Sequence, residues 1–215
     1  MDATIIQKIT VYAIPLIFAI TLHEAAHAFA ARYFGDSTAY MLGRMTLNPL
    51  KHIDPVWTIL VPIVTLLVSP FVFGAAKPVP VNFGALRNPK RDMIWVAAAG
   101  PLANLAMMVL WAVLGKIAIS LGTSGPTYFL ASMAEAGIFV NALLMVFNLF
   151  PLLPLDGGRI VTGLLPNKLA YAFSRTEPYG MLILIALIVT GVLGRFMWPL
   201  VDISMKSIYA IIRLS

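Results

Sequence analysis

The chain has no cysteine, and only 11% of its 215 residues are charged. The missing cysteine excludes disulfides, zinc fingers and thiol catalysis, so any metal must bind through nitrogen and oxygen atoms. The scarcity of charge excludes an ordinary soluble domain, in which roughly a quarter of the residues are charged. Because 60% of the residues are hydrophobic, the composition predicts an integral membrane protein.

No polar stretch is long enough for a separate soluble domain, so we predict one membrane-embedded domain over residues 1–215. The formal net charge is +6. No basic cluster is interleaved with aromatics that could stack on bases, and we therefore expect no nucleic-acid partner. The basic residues are better explained as loop residues that face anionic lipid, which makes the bilayer the expected partner.

Four apolar segments are long enough to cross a bilayer as helices, which takes about 20 residues. They are roughly residues 5–34, 93–121, 128–150 and 179–200. A fifth run, residues 55–73, contains Pro62 and Pro70 and could span or re-enter. The tail, residues 201–215, is predicted to lie at the membrane interface. The fold class is therefore an all-α polytopic membrane protein, a bundle of about four to six transmembrane helices.

Residues 75–92 do not have a helical pattern. Val79, Val81 and Phe83 alternate with Pro78 and Pro80, and this alternation favours short extended strands. We therefore predict a short β-hairpin or re-entrant element between the first helix and the helix that begins near residue 93.

The first helix contains the sequence LHEAAHAFAA, residues 22–31. An HExxH motif on a helix places two imidazoles, here His23 and His27, one turn apart on one face. Glu24 lies beside them, where it can take a proton from a water nucleophile activated by zinc. Ionisable groups in a membrane helix cost several kcal/mol, so they indicate a functional site. The alternative is that the three side chains satisfy one another in a helix-bundle core.

A catalytic zinc needs a third protein ligand. The metzincin extension of the motif is absent, because Ala30 and Tyr33 occupy its positions. Glu135 and Glu177 belong to no second recognisable motif. Asp156 follows an apolar helix that prolines must break, and broken membrane helices line cavities. Asp156 is therefore the strongest candidate; His52, a loop histidine, is left out of the ligand set.

Three motifs together resemble the site-2 protease family of intramembrane zinc metalloproteases. They are HEAAH, the AGPLAN sequence at residues 99–104, and NLFPLLPLDGGR at residues 148–159. The resemblance covers about residues 10–165, which would form the catalytic core, and it corresponds to a compact form without a PDZ or CBS domain.

The resemblance implies the roles of individual residues. It implies one zinc ion per chain, held by His23, His27 and Asp156, with Glu24 as the catalytic base. Asn148 would bind the substrate strand or the developing oxyanion. The implied reaction is cleavage of a transmembrane segment of a membrane-anchored protein substrate. A different reading of the same residues is a membrane metal carrier or a non-catalytic protease relative, although neither requires Glu24.

The two helices that supply the zinc ligands should run parallel, because in both the site comes late in the span. One crossing between them then suffices, which predicts that residues 55–73 do not cross. Ten of the fifteen basic residues would then share one face, and the positive-inside rule places the active site nearer the cytoplasmic face. They are Arg32, Arg44, Lys51, Lys77, Arg87, Lys90, Arg91, Arg159, Lys168 and Arg175. We expect a bacterial or archaeal cell membrane.

Overall fold

A computed structural model describes residues 5–52, 54, 77–122 and 124–212 of the chain. Its three longest apolar helices are α1 (Ile5–Tyr33), α3 (Pro89–Ser120) and α4 (Pro126–Asn148). The shorter helices are α2 (Thr38–Met41), α5 (Asp156–Leu164), α6 (Asn167–Ser174), α7 (Glu177–Val189) and α8 (Val192–Ile212), with 3-10 turns at Pro49–Lys51 and Phe83–Ala85.

Proline marks the first turn of α3 and of α4, where a missing N–H costs no helical hydrogen bond. Gly125, directly before α4, has φ +58°, a left-handed conformation that favours glycine. Proline therefore marks the start of both helices. Helix α3 begins four residues, and α4 two residues, before the predicted start.

The described part of the chain has three helices long and apolar enough to cross a membrane, or four if the bent pair of α6 and α7 is one span. The predictions for residues 5–34, 93–121 and 128–150 are confirmed. The expected number, about four to six, is too high for these residues. The prediction for residues 55–73 lies outside the described residues.

The prediction of one continuous span over residues 179–200 is wrong, because no single helix covers these residues. Helix α7 ends at Val189, and Gly191 turns the chain with φ +71° before α8 begins. Thirteen residues extend about 20 Å, too little to cross a bilayer. The tail is likewise not a separate interfacial segment, because residues 201–212 continue α8.

The predicted β-hairpin is not supported either. The described residues form no strand, and residues 77–82 have no regular secondary structure before the turn at Phe83–Ala85. Pro78 and Pro80 carry no N–H and cannot contribute to a ladder. The Val79 amide donates to the side chain of Glu24 instead of to another strand.

Helices α1, α3 and α4 pack against one another. His23 of α1 bonds to Asn104 of α3, whereas His27, four residues later, bonds to Val96, eight residues earlier. The two helices are therefore antiparallel. Helix α4 is antiparallel to α3 as well, because Asn104 contacts Asn141 and Trp111 packs against Gly137. Helices α1 and α4 consequently run parallel, as the sequence predicted.

The link from α4 to α5 is packed tightly against its surroundings. A methyl group at Gly157 would lie 2.2 Å from the Leu149 carbonyl oxygen, and one at Gly180 of α7 would lie 1.8 Å from that of Leu153. Because Gly157 has no side chain, the backbone of α5 can lie this close to that of Leu149. Gly157 lies in regular helix α5. This packing fixes the start of α5 and thereby Asp156.

Candidate metal centre

Three ligand atoms converge between α1, α3 and the start of α5. The Nε2 atoms of His23 and His27 are 3.1 Å apart, and Asp156 Oδ2 lies 3.2 Å from the first and 3.4 Å from the second. Both histidines are buried, and Asp156 is nearly so. Among the described residues, this is the group of histidine and acidic side chains that could hold a metal ion.

The histidine tautomers follow from the other ring nitrogens. His23 Nδ1 lies 2.7 Å from Asn104 Oδ1, and His27 Nδ1 lies 2.7 Å from the Val96 carbonyl oxygen. Because both partners can only accept, each Nδ1 carries the proton and donates it. A neutral imidazole then presents a lone pair at Nε2. Both lone pairs point toward Asp156, which is the arrangement that a metal ion needs.

A cation fits this donor set. Asp156 Oδ2 is a buried oxygen without a conventional hydrogen-bond partner, and it faces two nitrogen lone pairs. Three electron-rich atoms this close repel one another unless positive charge lies among them. Two nitrogens and one carboxylate oxygen are a typical set for catalytic zinc, which keeps a fourth position open.

Gly100 leaves the space beside these atoms. A methyl group there would lie 2.4 Å from His27 Nε2 and 2.7 Å from His23 Nε2. The α3 backbone therefore forms one wall of the metal centre, and only glycine permits it to approach so closely.

Two buried amide side chains, Asn104 and Asn141, form a hydrogen-bonded chain that ends at His23 Nδ1. Asn104 is fully buried, and its Nδ2 donates to Asn141 Oδ1 at 3.0 Å and to the Ala19 carbonyl oxygen at 3.3 Å. Asn141 donates in turn to the Gly137 carbonyl oxygen at 2.8 Å. These donations orient the Asn104 amide so that its oxygen faces His23.

We expect Asn104→Ala to lower zinc affinity by about 10- to 100-fold, the usual cost of losing a residue that orients a ligand. Without the Asn104 acceptor, His23 can exchange tautomers and lose its orientation. Competition with a chromophoric chelator measures the affinity. Asn148→Ala is the matched control, because its amide bonds to Leu144 of its own helix; an equal loss in both variants would contradict the role of Asn104.

Glu24 follows His23 in α1, so its side chain lies on the face of the helix next to the histidines. Its Oε2 accepts the Val79 amide at 2.7 Å, which places residues 77–82 beside the metal centre. Among the described residues, Asn148 makes no hydrogen bond to the three ligand atoms; its Nδ2 donates to the Leu144 carbonyl oxygen at 3.0 Å. His52 is buried, with Nε2 2.9 Å from the Thr46 carbonyl oxygen, and it is not part of the group.

Sequence reasoning missed Asn104, Asn141, Gly100 and Val79. A signal was present for Asn104 and Asn141, which are amides inside apolar helices, where polar groups need partners. Gly100, although part of the AGPLAN motif, and Val79 gave no such signal, because their roles depend on contacts with residues far away in the sequence.

The model of peptidase family M50 matches residues 112–191, which include Asn148 and Asp156 but not the histidine pair. "Putative zinc metalloprotease YwhC" of Bacillus subtilis is 37% identical over 202 residues, covering 91% of this chain and 87% of that protein. "Putative zinc metalloprotease Rip2" of Mycolicibacterium smegmatis is 30% identical over 186 residues, covering 86% and 69%.

"Putative zinc metalloprotease Rip3" of Mycobacterium tuberculosis is 32% identical over 149 residues, 69% of this chain and 29% of that protein. No solved structure matches the chain significantly. Similarity to the first two relatives extends over most of their length. The ligand geometry and the apolar helices agree with this similarity. The chain is a multi-pass membrane protein that belongs to peptidase family M50, the site-2 protease family of zinc metallopeptidases.

Proposed function

We propose that this protein is an intramembrane HExxH protease, which hydrolyses peptide bonds in or near transmembrane segments of membrane-anchored proteins. Such cleavage is the chemistry of regulated intramembrane proteolysis. The observation that carries the proposal is the convergence of His23, His27 and Asp156 within 3.1–3.4 Å, between helices long enough to cross the bilayer. A buried site of this kind suits a peptide bond that lies within the membrane.

His23, His27 and Asp156 would hold the zinc ion. When bound, zinc supplies Lewis-acid chemistry, which lowers the pKa of water and polarises a carbonyl group. Glu24, one residue from His23, accepts a proton from the attacking water and can return it to the leaving amine. The ligand side chains stay in place throughout, because Asn104 and the Val96 carbonyl hold both imidazoles.

Asn148 is the candidate for binding the oxyanion or the substrate strand. Its amide donates to the Leu144 carbonyl oxygen in this structure, so it must exchange that bond to reach substrate. Asn148 is the last residue of α4, where the helix stops before the prolines. A side chain at a helix end can turn outward more easily than one inside the helix.

The substrate would bind as an extended strand along residues 78–83. A helical peptide bond is shielded by its own helix, so the substrate segment must unwind before attack. Strand addition to an exposed edge is a recurrent way to hold such a peptide. The Val79 bond to Glu24 supports this placement, because it brings residues 77–82 beside the candidate base.

The decisive experiment uses the full chain in detergent or proteoliposomes with membrane-anchored candidate substrates. We expect zinc in a ratio of one per chain, cleavage near the membrane-spanning segment, loss of cleavage with a zinc chelator and recovery with added zinc. A zinc-loaded chain that moves zinc across proteoliposomes and cleaves none of the substrates would instead favour a metal carrier.

We also expect the face at the C-terminal end of α1 to be cytoplasmic, in a bacterial or archaeal cell membrane. His52 and Lys77 bond to each other, and Arg87 bonds to Phe34, so these residues share the face. Because the chain has no cysteine, single cysteines can be introduced for labelling. Leu42→Cys and Asn88→Cys should react only from the cytoplasm, and Ser120→Cys, at the far end of α3, only from outside. Opposite labelling of the first two would contradict this topology.

A further inference from the structure

The backbone of residues 77–82 is hydrogen-bonded to three side chains, one in α1 and two in the residues that follow α1. Arg44 donates to the carbonyl oxygens of Lys77 (3.0 Å) and Pro78 (3.4 Å), Glu24 accepts the Val79 amide (2.7 Å), and Asp36 accepts the Asn82 amide (2.7 Å). Arg44 and Asp36 hold the two ends of the segment, with three of the four bonds. The middle bond involves the candidate catalytic base.

The pattern of prolines singles out the Val79 amide. Pro78 and Pro80 have no N–H, so Val79 carries the one backbone donor between Lys77 and Val81. Its side chain is buried against Ala28, Ala39 and the partly buried Met45, which keeps the amide from turning away. Glu24 and Val79 are 55 positions apart in the sequence, so only the folded chain brings them together.

We propose that the Val79 amide is the positioning group for the catalytic base, an inference that rests on the proposed function. It holds Oε2 of Glu24 in a hydrogen bond to a charged acceptor, which is stronger than one between neutral groups. The other oxygen, Oε1, then remains to accept the proton. A carboxylate without this bond would rotate about its side chain and spend less time in the productive orientation.

In the part of the chain that the structure describes, one backbone amide of the segment remains available to a substrate strand. The Val79 amide is occupied by Glu24. Of the other amides in the segment, that of Lys77 donates to the His52 carbonyl oxygen and that of Asn82 donates to Asp36. Within the described residues, no hydrogen bond to the Val81 amide is present. Val81 is therefore the residue whose N–H pairs with the substrate, two positions from the amide that holds the base.

Hydrogen–deuterium exchange tests the positioning bond without any substrate. In the zinc-loaded protein, residues 77–82 have four backbone amides, and fragmentation of the labelled peptide isolates that of Val79. We expect Glu24→Ala to speed its exchange by about tenfold or more, as for loss of a bond to a charged acceptor. Glu24→Gln keeps an acceptor oxygen and should keep most of the protection. Equal exchange in wild type and Glu24→Ala would overturn the inference.

Kinetics then separate the two amides. Val79→Pro removes the positioning donor from a segment that already contains Pro78 and Pro80. We expect kcat to fall at least about tenfold below that of Val79→Ala, with KM and zinc content little changed. Val81→Pro should instead raise KM. A Val79→Pro variant that changes only KM, or that matches Val79→Ala in kcat, would refute the positioning role. If the wild type cleaves no substrate, the proposed function fails, whereas the exchange result still decides whether the bond exists.

Discussion

We expect Glu24→Gln to abolish peptide-bond cleavage and to leave the zinc bound. Glutamine has nearly the same size and still accepts the Val79 amide, but it cannot take a proton from water. General-base catalysis contributes about 10²- to 10⁴-fold, so turnover should fall by that factor or more. His23, His27 and Asp156 are unchanged, and metal content should stay at the wild-type value. Cleavage of a membrane-anchored substrate and metal analysis on the same preparation measure both quantities.

Glu135→Gln is the matched control for this variant. Glu135 is an exposed glutamate of α4, and among the described residues it makes no contact with the metal centre. The control should cleave at the wild-type rate. Retained turnover in Glu24→Gln would refute its role as base. Zinc loss together with lost turnover would show that Glu24 supports the metal site instead.

Gly100→Ala should expel the metal. The new methyl group would lie 2.4 Å from His27 Nε2 and 2.7 Å from His23 Nε2, far inside van der Waals contact. The imidazoles must move, and their Nδ1 bonds to Asn104 and Val96 oppose that movement. We therefore expect zinc content near zero and no cleavage, although the added group is a single carbon atom. Metal analysis of the purified variant gives the answer.

Two further variants separate this steric effect from general damage. Gly194→Ala adds a methyl group to helix α8, where the nearest atom lies at an ordinary 3.5 Å, and should keep its zinc. Asp156→Ala removes a ligand without adding bulk, and should lose zinc while the helices stay folded, as circular dichroism can show. Full zinc occupancy in Gly100→Ala would contradict the placement of the metal between the histidines and α3.

Prediction from the sequence succeeded where a long local pattern decides the outcome. The continuous apolar segments that form α1, α3 and α4 are each long enough to cross a bilayer. In lipid, the backbone N–H and C=O groups of such a segment must bond to one another, and a helix satisfies this requirement. It failed at residues 179–200, where apolar character continues across Gly191 but the backbone turns. It also failed at residues 77–82, whose alternation suggested strand pairing although a side chain takes the central amide.

The candidate site divides in the same way. His23 and His27 are one helical turn apart, so a motif of five residues predicts that they share a face. Asp156 could be proposed only from the broken helix before it and from resemblance. The roles of Gly100 and Val79 could not be predicted, and Asn104, an amide in an apolar helix, indicated only that it needs a partner. Each of these roles depends on a contact with a residue 55 or more positions away.

The sequence by itself determined that the chain is a membrane protein, where its three long apolar helices lie, and which residues could bind zinc. These properties follow from composition and from spacing within single helices. Only the tertiary structure decided that three donor atoms converge, that each imidazole presents Nε2, and that the Val79 amide meets Glu24. The physical reason is that antiparallel packing of α1 against α3 sets these distances, and packing depends on the shapes of surfaces far apart in the chain.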